Sequence, residues 1–387
     1  MNYILFDGSV REALLPFTFT RPVADIRVGI LTIREKWEKQ LGYTTTTVTE
    51  EYLSDKFPMV EMEDNVMINA SFLPNPILIE MVQALEPLQA IFYHEEIVAF
   101  YTQDSQDEIV FDQYEVINYT GDLMQIVNKW DIFMKNDQAI REDFEFLTED
   151  RISEPIPSSV NAIGHQDIFI EEGAKLEFVT LNASTGPIYI GKDSEIMEGS
   201  IIRGPFALCE EAQVKMGTKI YGATTVGPHC RVGGEVSNSV LFGYSNKGHD
   251  GFLGNAVIGE WCNLGADTNN SNLKNNYGTV KLWNYEQDDY EDTGLQFCGL
   301  MMGDHSKCGI NTMFNTGTVV GVSASVFGAG FPKTFIPSFT WGGCDNSTVY
   351  ELEKTLETMK VVMDRRHVEL TVEDIQIIKH IFEETKL

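Results

Sequence analysis

The sequence is poor in basic residues. It carries 28 Lys and Arg against 58 Asp and Glu, a formal charge of −30 over 387 residues. Gripping a nucleic-acid backbone needs a basic footprint, so nucleic acid is excluded as a partner. Docking on an anionic membrane surface is excluded for the same reason. Small anionic ligands stay compatible only where local Lys or Arg override the net field. Paired cysteines are also missing. Cys209, Cys230, Cys262, Cys298, Cys308 and Cys344 form no CxxC pair, which argues against a zinc ribbon. Cys308 is instead expected as a small core hydrophobe. No apolar run is long enough to span a bilayer. The opening MNYILFDG lacks a basic n-region and an apolar h-region and reads as a strand and a turn. The expected setting is a reducing cytoplasm.

What the sequence has instead is a beat of six. Ile190, Ile196, Ile202, Leu208, Val214, Ile220, Val226 and Val232 are each six residues apart. The beat returns at Ile258 and Leu264, then at Met302, Cys308, Phe314, Val320 and Val326. Neither a helix nor an ordinary strand has that period. A parallel β-helix does. Three short faces close one triangular coil, the aliphatic residue at each hexad start points into the prism, and neighbouring coils pair their backbones. The hexapeptide-repeat family that this pattern resembles builds the solenoid left-handed.

Residues 1–150 alternate strand-like and helix-like stretches, which predicts an α/β domain with a mainly parallel sheet. Tyr3–Phe6, Thr44–Thr49 and Asn65–Asn69 read as strands, Ala90–Tyr101 as a hairpin, and Gln125–Leu147 as one long helix. Residues 151–165 are polar and Pro-containing, as in a linker. The solenoid is expected over 166–343, interrupted by an Asn-, Asp- and Tyr-rich excursion at 267–299. Residues 344–387 read as a helical tail, with Thr371 as the N-cap of its last helix.

The opening stretch LFDGSVREALLPFTFTRPVADIRVG resembles the start of the sugar-nucleotidyltransferase family. Gly8 and Arg11 match its phosphate loop, Leu15, Pro16 and Thr18 the middle element, and Arg21 and Pro22 the next. Val23 stands where that family has a lysine, and VMINASFLP offers Asn69, Ala70 and Ser71 where it has a metal-holding Asp. The resemblance implies a Rossmann-like α/β front domain, with Gly8, Arg11 and Arg21 as its nucleotide-binding residues. Mg²⁺, which favours carboxylate oxygens, enters only if that domain is active, through ligands such as Asp7 or Asp25.

The stretch NKGHDGFLGNAVIGEWCNLGADTNNSN resembles the acetyltransferase half of the bifunctional N-acetylglucosamine-1-phosphate uridylyltransferase/glucosamine-1-phosphate N-acetyltransferase family. Lys247, Gly248 and His249 align, then Leu253–Gly254, Ile258–Gly259, Gly265–Ala266 and Asn272. Neutral imidazole suits removal of a proton from an attacking amine, and His249, between Gly248 and Gly251, is free to project from the coil. It is the expected general base. Backbone N–H groups at Gly265 and Ala266 are candidate oxyanion donors. The resemblance implies acetyl-CoA laid along a coil edge, with Asn311 and Lys333 toward its outer end, and Asn272 holding the amino sugar. Lys247, Lys274 and Lys281 are candidate phosphate contacts, each also readable as a solvated loop charge. One family lysine and one aromatic hydroxyl fall at Ser237 and Phe252 here. Arg203 and Lys219 read as ordinary external charges.

The expected activity is acetyl-CoA-dependent N-acetylation of an amino sugar phosphate, in a homotrimer whose sites lie between prisms. Two alternatives stay open: a sugar-1-phosphate nucleotidyltransferase using UTP or dTTP, and a non-catalytic sugar-nucleotide-binding trimer. A γ-class carbonic anhydrase would need zinc on His229, His249 and His305, whose spacing lacks that family's close pair. No metal site is expected.

Overall fold

A computed structural model describes residues 2–103, 111–343 and 346–385; Cys344 lies outside them. The chain divides into two compact units. The first draws on the chain up to Asn128; the second takes Leu15–Phe17, Arg27–Ile30 and everything from Lys129 onward.

In the first unit Asn2–Phe6 (β1) is buried on both faces, as its unbroken apolar run requires. It pairs in parallel with Thr45–Val48 (β2) and Asn65–Asn69 (β3). Between β1 and β2 runs Ile33–Leu41 (α1), opened by a Thr32–Glu35 capping box and closed by Gly42 at φ 76°. After β3 comes Pro76–Gln83 (α2), with Asn75 as N-cap and Pro at its first position. Gln89–Tyr93 (β4) and Glu96–Thr102 (β5) form the expected hairpin. Glu115–Asn118 (β6) completes a sheet of order β2-β1-β3-β5-β4-β6. The sheet is mixed: β5 runs antiparallel to both its neighbours.

The long helix expected over Gln125–Leu147 is not formed. Gln125 bridges Phe72, and the Ile126 N–H donates to the Ser71 carbonyl at 2.8 Å. Helix begins at Asp131–Met134 (α3) and continues as Asn136–Thr148 (α4). Ile126, Trp130, Ile132 and Phe133 are all buried, but tertiary pairing of the segment's start overrides the helical spacing.

The second unit is the three-walled parallel β-helix. One wall stacks Ile188–Ile190, Phe206–Leu208, Thr224–Val226, Val240–Gly243, Val257–Glu260 and Leu300–Met302. A second stacks Glu195–Ile196, Gln213–Val214, Arg231–Val232, Asn246–Lys247, Asn263–Leu264 and Lys307–Cys308. The third stacks Ile201–Arg203, Lys219–Tyr221, Glu235–Ser237 and Phe252–Gly254. In the regular coils register holds residues eighteen apart opposite one another, as in Leu208 against Val226; where a corner shortens, the spacing falls, to fifteen between Val226 and Leu241. Every aliphatic residue of the beat, from Ile190 to Val232 and again from Ile258 to Val326, lies in one continuous core, Cys308 included. Each such side chain contributes roughly 1.5–3 kcal/mol on burial.

The residues expected as a linker contain Asn161–Ile163, which pairs with Thr180–Asn182 as the first third-wall strand. The excursion leaves the prism later than expected. Asn269–Asn270 still pairs with Met313–Phe314, and beyond it Lys281–Asn284 and Asp289–Asp292 form an antiparallel hairpin. The chain then runs through Leu352–Asp364 (α5) and Val372–Glu384 (α6), the latter opened by a Thr371–Asp374 capping box. Among the described residues no helix is long and apolar enough to cross a membrane.

Candidate active site

On the third wall, successive side chains alternate between the prism and its outer face. Ile220, Val236 and Leu253 point in and are buried. Tyr221, Ser237 and Phe252 stand outside, and with Asn238, Asn255 and Asn272 they line a cavity of about 480 Å³. Leu295, Gln296 and Phe297 of the returning excursion and Met134 of α3 complete it. The Asn272 amide donates to Asn255 Oδ1 at 2.8 Å. Gly254 makes this possible: a Cβ there would lie 2.4 Å from the Phe252 ring and 2.9 Å from the Asn272 amide nitrogen. The Tyr221 hydroxyl donates to Glu235 at 2.6 Å; that bond, with burial, pushes its phenol up to about 12.

Asn272, which the resemblance assigns to the amino sugar, therefore shares one cavity with Ser237 and Phe252, where the family has a lysine and an aromatic hydroxyl. Tyr221, Asn238 and Asn255 escaped the sequence reading. A signal for two of them was present: Asn238 and Asn255 take φ of 44° and 48°, and Asn recurring at the same coil corner marks a left-handed position.

His249 is exposed, on the corner between the second and third walls that leads into Phe252–Gly254. Its side chain makes no hydrogen bond to the described residues. It is not among the residues lining the cavity. Corners stack from coil to coil: the Asp267 N–H donates to the Asp250 carbonyl at 3.1 Å, and the Asn311 N–H to the Ala266 carbonyl at 2.8 Å. His249, Gly265, Ala266 and Asn311 thus share one edge of the prism. The Gly265 N–H is not free to stabilise an oxyanion, because it donates to the Cys308 carbonyl at 3.1 Å. Of that pair, Ala266 alone keeps an amide outside the ladder. Lys333 lines a separate cavity of about 550 Å³, with Trp283, Asp288, Tyr290 and Phe335.

Lys247 is the largest departure from expectation. It is not a surface charge for phosphate. It sits opposite Val232 in the second wall, only 2 % exposed, inside the prism. Its ammonium donates to the Gly233 carbonyl at 3.2 Å and to the His249 carbonyl. Burial lowers its pKa to about 8, against the pull of Asp250, Cys308 and Asp267. Lys274 is tied to the Thr279 carbonyl at 2.6 Å, and Lys281 faces Asp292 across the hairpin. Neither lines the cavity beside Asn272. Arg203 and Lys219 flank another groove, of about 650 Å³, on the same wall. His229 and His305 belong to a different corner, in a column of stacked rings with Tyr244 and Trp261 between them. The three histidines of a zinc site are therefore not gathered within the chain.

At the C-terminal end of β1 the front domain holds a closed polar network. Arg11 donates to Asp7 at 2.7 Å, to the Thr18 carbonyl at 2.5 Å and to the Tyr52 hydroxyl at 3.0 Å. The second Asp7 oxygen accepts the Val23 N–H at 2.7 Å, and Thr49 also donates to the carboxylate, at 2.6 Å. Gly8 turns at φ 65° against Asn69, and Arg21 is buried. Asp25 is held by both arms of Arg34, at 2.8 and 2.9 Å. Both carboxylates offered as metal ligands are thus occupied by protein donors. Among the described residues no cluster of three ligating side chains exists. The residues present do not fit Mg²⁺, and Arg11 is not available to a phosphate.

Arg11 and Asp7 are each under a tenth exposed, so removing the cation alone strands a buried carboxylate. Arg11→Met is expected to destabilise the protein by about 3–5 kcal/mol. Burial already raises the Asp7 pKa, with Arg11 opposing it. Losing Arg11 raises it further, and a carboxyl raised above its unfolded value weakens the folded state as pH climbs from the unfolded value to the folded one, the cost being complete above the folded value. The deficit in urea unfolding should therefore be larger at pH 8 than at pH 5.

Comparison with known proteins agrees with the description of the front domain. A family model described as sugar nucleotidyl transferase matches residues 3–152. The bifunctional protein GlmU of Rippkaea orientalis is 29% identical over 146 residues, covering 33% of this chain and 28% of that protein. The GlmU of Cyanothece is 25% identical over 202 residues, covering 46% and 40%. That of Methanocaldococcus jannaschii is 33% identical over 87 residues, covering 22% and 21%. The chain thus spans well under half the length of these relatives. A solved structure titled as an Arabidopsis UDP-N-acetylglucosamine acyltransferase aligns over 55% of this chain and 80% of that one, at 14% identity and a TM-score of 0.21. The likeness to a bifunctional nucleotidyltransferase/acetyltransferase family, expected from the motifs, is borne out at this distance.

Proposed function

We propose that the protein is an acyl-CoA-dependent N-acyltransferase acting on an amino sugar phosphate, with a front domain that keeps the nucleotidyltransferase fold without its chemistry. The observation that carries this reading is the convergence of Asn272, Asn255, Ser237 and Tyr221 on one third-wall cavity with an aromatic floor at Phe252. Amide and hydroxyl groups around an aromatic face suit a sugar ring, whose hydroxyls need paired donors and acceptors. His249 lies on the edge leading into that floor.

In this reading the amine nitrogen attacks the thioester carbonyl carbon, and His249 takes the proton the nitrogen sheds. An amide N–H such as that of Ala266 meets the oxyanion. The C–S bond then breaks, and the thiolate leaves with the proton returned from the imidazole. His249 does not line its own chain's sugar cavity, and in this reading the sites form between prisms of a homotrimer. The outer third wall and its corner expose Ile163, Ile201, Met216 and Ile310, each more than half accessible, which supports a buried contact there.

The test is release of free CoA thiol from acetyl-CoA in the presence of glucosamine 1-phosphate and a panel of amino sugar phosphates. Turnover with at least one acceptor is expected. Pyrophosphate release from UTP or dTTP with sugar 1-phosphates is expected to be silent. The reverse pattern would overturn the reading.

A further inference from the structure

Lys247 is buried inside the prism. A buried ammonium is tolerated only when its N–H groups find acceptors. Here the acceptors are two backbone carbonyls on successive corners, Gly233 below and His249 above. The two corners differ in length. The chain passes from Val232 to Glu235 through Gly233 and Gly234 alone, but from Lys247 to Phe252 through Gly248, His249, Asp250 and Gly251. The longer corner therefore overhangs the shorter one.

That corner packs its backbone on Gly233 and Gly234, where a Cβ would come within 2.6–2.9 Å of Gly248, His249, Asp250 and Gly251. Gly248 has open space where a Cβ would stand, and Gly251 sits at φ 115°. The Asp250 carbonyl accepts from Asp267 and the Gly251 carbonyl from Glu235, while the bond to His249 itself comes from Lys247. Asp250, Asp267 and Cys308 are the titratable groups facing the ammonium. An aliphatic residue at this inward position would pack as well but could not reach the carbonyls.

We infer that Lys247 is a positioning residue: from inside the prism its ammonium clamps the Gly248–Gly251 corner and so fixes where the His249 imidazole stands. The inference rests on the acyl-transfer reading only for its catalytic consequence; the clamp itself is a structural claim.

The test compares the full-length protein with Lys247→Met, which fills the prism without donors. Lys247→Gln, which keeps two N–H donors on a shorter arm, serves as the second variant and covers a Met variant that fails to fold. Amide hydrogen exchange over residues 248–251 is expected to speed up by about 10-fold or more in Lys247→Met, with a smaller change in Lys247→Gln. In acetyl-CoA turnover kcat should fall about 10-fold while KM for acetyl-CoA stays put, the mark of a displaced base rather than lost binding. Unchanged exchange in both variants overturns the clamp. Faster exchange with unchanged kcat overturns its role in positioning His249. A parent protein that turns over no acceptor counts against the acyl-transfer reading, while the exchange comparison still decides the clamp.

Discussion

Replacing His249 by alanine is expected to cut acyl transfer by about 10²–10⁴-fold, the usual worth of a general base. In activation free energy that is about 3–5 kcal/mol. The fold should not notice. His249 is exposed, and its side chain bonds to no described residue, so surface-type effects within about 0.5 kcal/mol are expected on unfolding. Loss of rate at constant stability separates a chemical role from a packing one. Loss should fall on kcat, with KM for acetyl-CoA little changed, because the imidazole is assigned to the proton and not to the donor's binding. Full turnover in His249→Ala would remove the general base from the proposal.

The solenoid was legible because its code is one residue deep. Each beat residue maps to one inward position, and nothing distant has to be known to place it. Legibility failed where the corner length changed. Lys247 lies fifteen residues beyond Val232, its partner in the wall, so it falls off the beat of six and reads as a loop charge. Asn270 shows the opposite case. It keeps the beat, six after Leu264, but its side chain is not aliphatic. Inside the prism its amide donates to the Gly254 carbonyl and accepts the Gly254 N–H, each at 2.9 Å, standing in for a strand.

The candidate site was half legible for a related reason. Asn272 was marked by alignment, but its neighbours Leu295–Phe297 come from the far end of the excursion. They arrive beside it because the chain closes there, the Cys298 N–H donating to the Asn272 carbonyl at 2.9 Å. In the front domain the carboxylate of Asp7 was visible after β1, and sequence gave no means of seeing it spent. Its partners Arg11, Val23 and Thr49 lie 4, 16 and 42 residues away, and only the folded sheet brings all three to one carboxylate.

The second large effect concerns the prism itself. Ile220 is 1 % exposed, opposite Ile202 below and Val236 above, and Ile220→Asp puts a carboxylate there with no donor in reach. Neutralising or burying that group costs several kcal/mol, on top of the roughly 2–5 kcal/mol lost with the aliphatic side chain. The sum rivals the whole stability of a typical domain, about 5–15 kcal/mol. In a solenoid each coil is held only by its neighbours, so the damage should divide the stack. Ile220→Asp is expected to lose a single cooperative unfolding transition, or to yield no folded protein, in circular dichroism melts. The contrast is one residue away. Lys219 is exposed on the outer face of the same strand, and Lys219→Ala should melt within a few degrees of the parent, since surface changes of this kind stay near 0.5 kcal/mol. Equal melts for the two variants would mean that inward and outward positions are not distinguished by the repeat. The wall carrying Tyr221, Ser237 and Phe252 would then have no fixed face on which to build a site.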